Sequence, residues 1–164
     1  MSKLSDEFAS GKFSVTCELN PPKGVNLDPL YQKAKYLKGV VSAFNLTDSA
    51  GSSMAMAPIA VASLLLDRGV ETILQITGRD RNKMALQSEL LAASALGVTH
   101  VLCMGGDPPG VGDRPDATAV GDLDAIGLLG AVNTLGSGKD LAGNDLKGSP
   151  SLFAGAVANP GASD

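Results

Sequence analysis

Five short apolar runs rich in β-forming residues recur along the chain, and a segment with the length and spacing of a helix separates each run from the next. The runs cover residues 13–19, 42–46, 72–77, 101–104 and 152–157. Strands joined by helices of this length pair in parallel through right-handed crossovers. This alternation restricts the fold to two α/β architectures, an open doubly wound sheet or a (β/α)₈ TIM barrel.

The residues that follow the strands separate these two architectures. An open nucleotide-binding sheet needs a GxGxxG phosphate loop after its first strand, where this chain has Pro21-Pro22-Lys23-Gly24. A barrel carries polar residues at the carboxyl ends of its strands, as this sequence does. Because a typical barrel has about 250 residues and eight βα units, we expect these 164 residues to form roughly five of them. We treat residues 1–164 as a single domain, with residues 1–11 as an N-terminal extension.

Local signals predict where the intervening helices lie. Asn26 or Asp28 is expected to cap the helix after the first strand, and Asn82 or Asp80 the helix after the third strand. The other two helices are expected over residues 57–67 and 122–135.

Charge and composition exclude several classes of function. A net charge of −4 argues against a binder of nucleic acid or anionic membrane, since both need a basic face. The two cysteines, Cys17 and Cys103, lack CxxC spacing and are expected to be buried thiols. His100 is the single histidine and lies at the start of a strand, so we expect neither catalysis there nor a metal site. Without a leader or an apolar span, the chain is expected to be cytoplasmic.

Polar residues at the strand ends form one candidate site, because the carboxyl ends of barrel strands converge on one mouth. They are Glu18, Asn45, Thr47, Asp48, Gln75, Thr77, Arg79, Asp107 and Asn159. Glu18 lies in an apolar strand, where burial would raise its pKa and suit it to general acid catalysis. The alternative is a structural ion pair of Glu18 with Arg79 or Lys23.

The turn Gly105-Gly106-Asp107-Pro108-Pro109-Gly110 follows the fourth strand. Gly105 and Gly106 would allow a ligand or a backbone segment to approach closely, and the prolines would fix Asp107 in place. The alternative is a tight turn in which Asp107 caps the following helix. We expect Glu18 and Asp107 to face each other across one cavity.

Four motifs in this order resemble the methylenetetrahydrofolate reductase family, most closely its bacterial branch. They are Cys17-Glu18-Leu19-Asn20-Pro21-Pro22-Lys23-Gly24, Asn45-Leu46-Thr47-Asp48, Gln75-Ile76-Thr77-Gly78-Arg79-Asp80-Arg81-Asn82 and Gly105-Gly106-Asp107-Pro108-Pro109. The resemblance extends from about Phe13 to Pro160. It implies a barrel with FAD at its mouth, in which NAD(P)H reduces the flavin and the flavin reduces methylenetetrahydrofolate to methyltetrahydrofolate.

The resemblance also implies roles for individual residues. Glu18 matches the family's acidic residue that assists opening of the folate's methylene bridge, and Asp107 matches the Asp that tunes the flavin and contacts the pterin. The remaining implied cofactor contacts are Asn45 or Thr47, Gln75 with Thr77, and the backbone of Val120. The chain departs from many relatives in having Gln75 in place of His, Gly105 in place of Arg, and Ala158 in place of Tyr.

Three functions fit the sequence. The first is the reductase, with this chain as a fragment of a longer reading frame. The second is a non-catalytic or partner-dependent subunit that binds folate or flavin within a homo-oligomer or beside an electron-transfer partner. The third is another barrel enzyme acting on a pterin or a phosphorylated metabolite. Because an unclosed sheet has two unpaired edges, we expect this span alone to be oligomeric, poorly soluble or only partly folded.

Overall fold

The computed structural model describes residues 3–158 and 160–161 as a chain of alternating helices and strands. The helices are α1 (Lys3–Ala9), α2 (Asp28–Leu37), α3 (Pro58–Leu66), α4 (Lys83–Ala95) and α5 (Ala125–Gly136). The strands are β1 (Thr16–Leu19), β2 (Ala43–Leu46), β3 (Thr72–Thr77), β4 (His100–Met104) and β5 (Phe153–Ala156). Short 3₁₀ turns cover Ala50–Ser52 and Pro109–Val111.

The five strands form one parallel sheet in the order β1-β2-β3-β4-β5. Each strand pairs with its neighbour in the sequence, so the strand order never reverses as it does in a doubly wound sheet. β1 and β5 are the two edges of this sheet. The predicted architecture is confirmed: the five parallel strands form one open sheet, as in an incomplete (β/α)₈ barrel.

The hydrophobic core lies between the outer face of the sheet and the helices α2 to α5. Leu46, Leu74 and Ile76 project from the strands into this core and are fully buried. The helices contribute Leu30, Val61, Leu65, Leu86, Leu90, Leu128 and Leu135. Because side chains alternate along a strand, the residues between these apolar positions lie on the opposite face, which we call the inner face. This face includes Glu18, Asn45 and Gln75.

The element boundaries differ from the predicted ones mainly at the first strand. β1 begins at Thr16, and Phe13 is 88% exposed. In the register between β1 and β2, residues 13–14 lie before the first residue of β2, so they have no strand to pair with. Asn82, not Asp80, caps α4 by accepting a hydrogen bond from Ala85 N at 2.9 Å.

The other predicted helix starts need small corrections. The N-cap position of α2 is Leu27, without a side-chain cap, while Asn26 Oδ1 accepts from the N–H of Asp28, the first residue of the helix. α5 begins at Ala125, capped by Asp124, which accepts from Gly127 N at 2.7 Å.

The N-terminal segment contains a helix that packs against the amino ends of the strands. Leu4 of α1 is 1% exposed, and its backbone N–H donates to Glu71 Oε1 at 3.1 Å. Ser5 Oγ lies 3.0 Å from His100 Nε2, and the ring of Phe8 lies 6.0 Å from that of Phe153. Burial lowers the pKa of His100. His100 therefore lies at the end of the sheet opposite the predicted mouth.

The two cysteines differ in their surroundings. Cys103 is fully buried in the core, and its burial raises the pKa of the thiol to about 11. Cys17 is only partly buried, because it lies on the edge strand β1. No helix among the described residues is long and apolar enough to cross a membrane.

Gly78 is a position where the fold requires the absence of a side chain. A methyl group on its Cα would overlap the carbonyl oxygen of Leu123. We expect Gly78→Ala to destabilise the protein by about 3 kcal/mol, the upper end of the usual cost of overpacking. The added methyl would separate two backbone segments that Gly121 N and Gly78 O join at 3.2 Å. Urea denaturation followed by circular dichroism measures the effect.

Gly130→Ala serves as the matched control for this substitution. Gly130 lies on the exposed side of α5, and a methyl group there would have no neighbour within 4 Å. We expect a gain in stability of about 0.5–1 kcal/mol, because alanine favours helix more than glycine does. Equal stabilities of the Gly78→Ala and wild-type proteins would contradict the close approach at Gly78.

Candidate active site

A row of polar side chains crosses the inner face of the sheet. Asn45 Nδ2 donates to Thr16 Oγ1 at 2.8 Å, and Gln75 Nε2 donates to Glu18 Oε1 at 3.2 Å. Glu18 is in register with Asn45 on β2, so its carboxylate reaches past that strand to Gln75 on β3. Three of the predicted site residues, Glu18, Asn45 and Gln75, are thus brought together on one face.

The surroundings of Glu18 differ from those predicted. The side chain is exposed, because Glu18 lies on the inner face while its neighbours Cys17 and Leu19 lie toward the outer face. The expected burial of this carboxylate among apolar side chains is therefore wrong. The structural alternative is wrong too, since Lys23 pairs with Asp113 and Arg79 with Asp80.

Asp48, at the end of β2, is the centre of a buried polar network. Asp48 is 5% exposed, and its Oδ2 accepts from Thr77 N at 2.8 Å and from Thr77 Oγ1 at 2.9 Å. Arg81 donates to both oxygens of Asp48, at 2.7 and 3.0 Å, and contacts Glu89 at 2.8 Å. Burial opposes the charge of Arg81, yet the hydrogen bond and charge of Asp48 raise its pKa overall.

This network has consequences for two predicted cofactor contacts. The hydroxyl of Thr77 donates to Asp48, and the hydroxyl of Thr47 donates to Asn20 Oδ1 at 2.9 Å. Both threonines are buried. Their contact with a cofactor stays a prediction, and it would have to use atoms other than the hydroxyl hydrogens.

The Gly105-Gly106 turn does allow a close backbone approach, at its second glycine. Gly106 has a φ of +88°, and a Cβ atom there would lie 3.1 Å from Thr77 Cβ and 3.2 Å from Arg79 Cβ. The equivalent position on Gly105 has no neighbour within 4 Å. Gly106 therefore serves packing, while Gly105 borders open space that a ligand can enter.

Asp107 is held by the loop that follows β2. Its Oδ2 accepts from Gly51 N at 3.2 Å, and its backbone carbonyl accepts from Ser52 Oγ at 2.6 Å. The same carbonyl accepts from Arg79 Nη1 at 3.2 Å. Asp107 does not cap the helix that follows it, since Asp124 caps α5, so that alternative is wrong.

Arg79 joins three loops at the mouth and is 6% exposed. It donates to both oxygens of Asp80, at 2.7 and 2.6 Å, and to Ser52 Oγ at 2.9 Å. The hydrogen bonds to Asp80 raise the pKa of Arg79. A cavity of about 230 Å³ lies beside it, with Met54, Pro109 and Arg114 among its lining. No role was predicted for Ser52, because a serine by itself carries no signal for this contact.

Val120 lies against the residues that follow β3. Its backbone N–H donates to Arg79 O at 2.7 Å. A backbone contact from Val120 to a cofactor therefore stays a prediction, and it would have to use the carbonyl oxygen of Val120.

The predicted site residues lie at one end of the sheet but not in one enclosed space. Glu18 borders an open cavity of about 370 Å³ along the β1 edge. Asp107 lies at the end of β4, beside the loop after β2. A single cavity shared by both carboxylates stays a prediction, and Asn159 lies outside the described residues. Within residues 3–158 and 160–161, no group of three or more His, Cys, Asp or Glu side chains could hold a metal ion.

Comparison with known proteins identifies the family. The sequence model of the family Methylenetetrahydrofolate reductase matches residues 3–137. This span begins in α1 and ends just after α5, so it includes the first four strands and both carboxylates of the candidate site. None of the curated proteins compared with the chain matches it significantly. The match covers most of the sequence, and the chain therefore belongs to the methylenetetrahydrofolate reductase family.

Proposed function

We propose that this chain carries part of the active site of a flavin-dependent reductase. The reaction converts 5,10-methylenetetrahydrofolate to 5-methyltetrahydrofolate, with FAD as cofactor, NAD(P)H as electron donor and the cytoplasm as location. Membership of the family implies an oxidoreductase of one-carbon metabolism that acts on a folate. The flavin, the nicotinamide donor and the residue roles below are our proposals.

The observation that carries this proposal is the hydrogen bond from Gln75 to Glu18 on the inner face. Gln75 Nε2 donates to Oε1 of the carboxyl group, which leaves Oε2 to carry a proton. Because Glu18 is exposed at the end of the sheet where barrel enzymes bind substrate, a folate can reach it. We propose Glu18 as the general acid because its carboxyl group is the one that the inner face presents to the substrate.

The reaction of the folate substrate requires a proton, which Glu18 can supply. The bridging methylene carbon of the folate is bonded to N5 and N10. When Glu18 donates its proton to N10, the bond from N10 to the methylene carbon breaks and an N5 iminium forms. The flavin, when bound, supplies the hydride that this carbon accepts, and the methyl group results. Glu18 is left as a carboxylate that still accepts from Gln75.

The inner face fits a flavin ring in its chemistry. Asn45 and Gln75 offer amide groups at adjacent strands, and a flavin presents both hydrogen-bond donors and acceptors along one edge. The oxygen of the Gln75 amide accepts no hydrogen bond from any residue the structure describes. The open space beside Gly105 lets a planar ring approach the end of β4. We assign Asn45, Gln75, Gly105 and the Val120 carbonyl to flavin contacts, with Thr47, Thr77 and Gly106 supporting them.

Asp107 supplies a second carboxylate for the folate. Only Oδ2 and the backbone carbonyl of Asp107 are used within the described part of the chain. The pterin ring carries an amino group and a ring N–H that suit the remaining oxygen. We propose that Asp107 holds the pterin against the flavin and influences the flavin through its charge.

Flavin spectroscopy tests the function. We expect the purified protein to be yellow, to bleach under NAD(P)H without oxygen, and to recover its absorbance when methylenetetrahydrofolate is added. A colourless protein that binds no added FAD would overturn the flavin mechanism.

A second candidate function is a subunit that binds folate or flavin only beside a partner chain. Among the described residues β1 and β5 are the edges of the sheet, and the edge of a parallel sheet can pair with a strand of another chain. Folate binding by a protein without flavin affinity supports this candidate. Flavin binding and turnover by the isolated protein would exclude it.

A further inference from the structure

The loop after β2 has an unusual backbone that needs an explanation. Ser49, Gly51 and Ser52 all have left-handed conformations, with φ of 50°, 60° and 53°. This conformation suits glycine, whereas a serine in it carries backbone strain. Strained residues of this kind persist only where surrounding contacts hold them, and they cluster at functional sites.

Two of the contacts that hold this loop are contacts with Asp107. The N–H of Gly51 donates to the carboxylate, and the hydroxyl of Ser52 donates to the backbone carbonyl of the same residue. Left-handed residues turn backbone N–H groups toward one side and make a concave site for an anion. Here the anion is the Asp107 carboxylate of the chain itself.

Two further contacts fix Ser52 in place. Arg79 Nη1 donates to Ser52 Oγ and to the Asp107 carbonyl, so one buried guanidinium bridges the two residues. On the other side, Gly112 packs so closely that a side chain there would overlap the Ser52 carbonyl oxygen. Ser52 is therefore confined between Arg79, Asp107 and the loop after β4.

We propose that Ser52 and Arg79 are positioning residues for Asp107. They hold its backbone so that Gly51 N–H engages Oδ2, and Oδ1 stays free for the folate. This inference rests on the proposed function, because it assigns the free oxygen to that substrate. Its structural part, the anchoring of Asp107 by Ser52, can be tested without any cofactor.

Two serine-to-glycine variants test the proposal. Ser52→Gly removes the hydroxyl but relieves the left-handed strain, so the loop can keep its shape. Ser49→Gly relieves the same strain at a residue whose side chain makes no hydrogen bond to Asp107 in the described chain. The first readout is hydrogen exchange of the Gly51 amide by NMR, in protein without flavin or folate. We expect Ser52→Gly to speed this exchange about five- to tenfold, the effect of one lost hydrogen bond, and Ser49→Gly to leave it unchanged.

The second readout is the rate of folate reduction by the reduced flavin. We expect Ser52→Gly to slow this step about tenfold, because small displacements of a positioned group cost rate. In an Asp107→Asn background the same change should have no further effect, since coupled residues are non-additive. Unaltered Gly51 exchange in Ser52→Gly overturns the proposal. So does an equal loss in both backgrounds, which would mean that Ser52 acts on the fold alone. If no flavin binds, the proposed function fails, while the exchange experiment still decides the anchoring.

Discussion

Replacing Glu18 with Gln is expected to slow reduction of methylenetetrahydrofolate by the reduced flavin about 10²- to 10⁴-fold, the usual contribution of a general acid. Reduction of the flavin by NAD(P)H should keep its rate, because hydride transfer from nicotinamide needs no proton from Glu18. The substituted amide still offers an oxygen to Gln75 Nε2, so the contact across the inner face survives. The change removes the proton and little else.

Anaerobic stopped-flow measurement of the flavin absorbance separates the two half-reactions. Glu71→Gln is the matched control, since it makes the same chemical change just before β3, at the opposite end of the sheet. Its oxygen can still accept from Leu4 N, and we expect both half-reactions to keep their rates. A loss of similar size in both half-reactions of Glu18→Gln would show that Glu18 supports the structure and does not donate the proton.

The strand order and the strand ends were accessible from the sequence because they depend on local patterns. Alternating apolar runs predicted all five strands, and β3 has the predicted bounds. Asn82, one of the two capping candidates, marked the start of α4, since caps act on neighbouring residues. Parallel pairing then follows from helix-length connections, and it brings Glu18, Asn45 and Gln75 to one end of the sheet.

The partners of the polar residues were not accessible in the same way. Glu18 was expected to be buried or paired with a cation, yet it contacts Gln75, which is 57 residues away. A four-residue strand gives little indication of which side faces the helices, so the exposure of Glu18 was missed. The hydrogen bond from Ser52 to Asp107 depends on serines in left-handed conformations, and no sequence pattern predicts these conformations.

The docking of α1 was missed for a different reason. Leu4 and Phe8 are spaced by four residues and therefore share one face of a helix. That signal is present in the sequence, but a seven-residue helix with so few apolar residues is weak evidence by itself. Its stability comes from contacts with Glu71, His100 and Phe153, which only the fold brings together.

Asp48→Ala is expected to destabilise the protein by about 3–5 kcal/mol, the usual cost of breaking a buried ion pair. The substitution leaves the amide and the hydroxyl of Thr77 without their acceptor and removes two contacts of Arg81. Glu89 still contacts Arg81 and limits the loss. Because Thr77 is the last residue of β3 and lies at the mouth, we expect the substitution to disturb the candidate site as well as to lower the stability.

Asp116→Ala is the matched control, since it removes an Asp that also pairs with an arginine through two hydrogen bonds. The side chains of Arg114 and Asp116 are 69% and 67% exposed, so solvent screens their attraction. Exposed pairs contribute little to stability, and urea denaturation should therefore separate the two variants clearly. Equal losses for Asp48→Ala and Asp116→Ala would mean that burial adds nothing to the Asp48 network. Other contacts would then have to hold Thr77 and Arg81 in place at the end of β3.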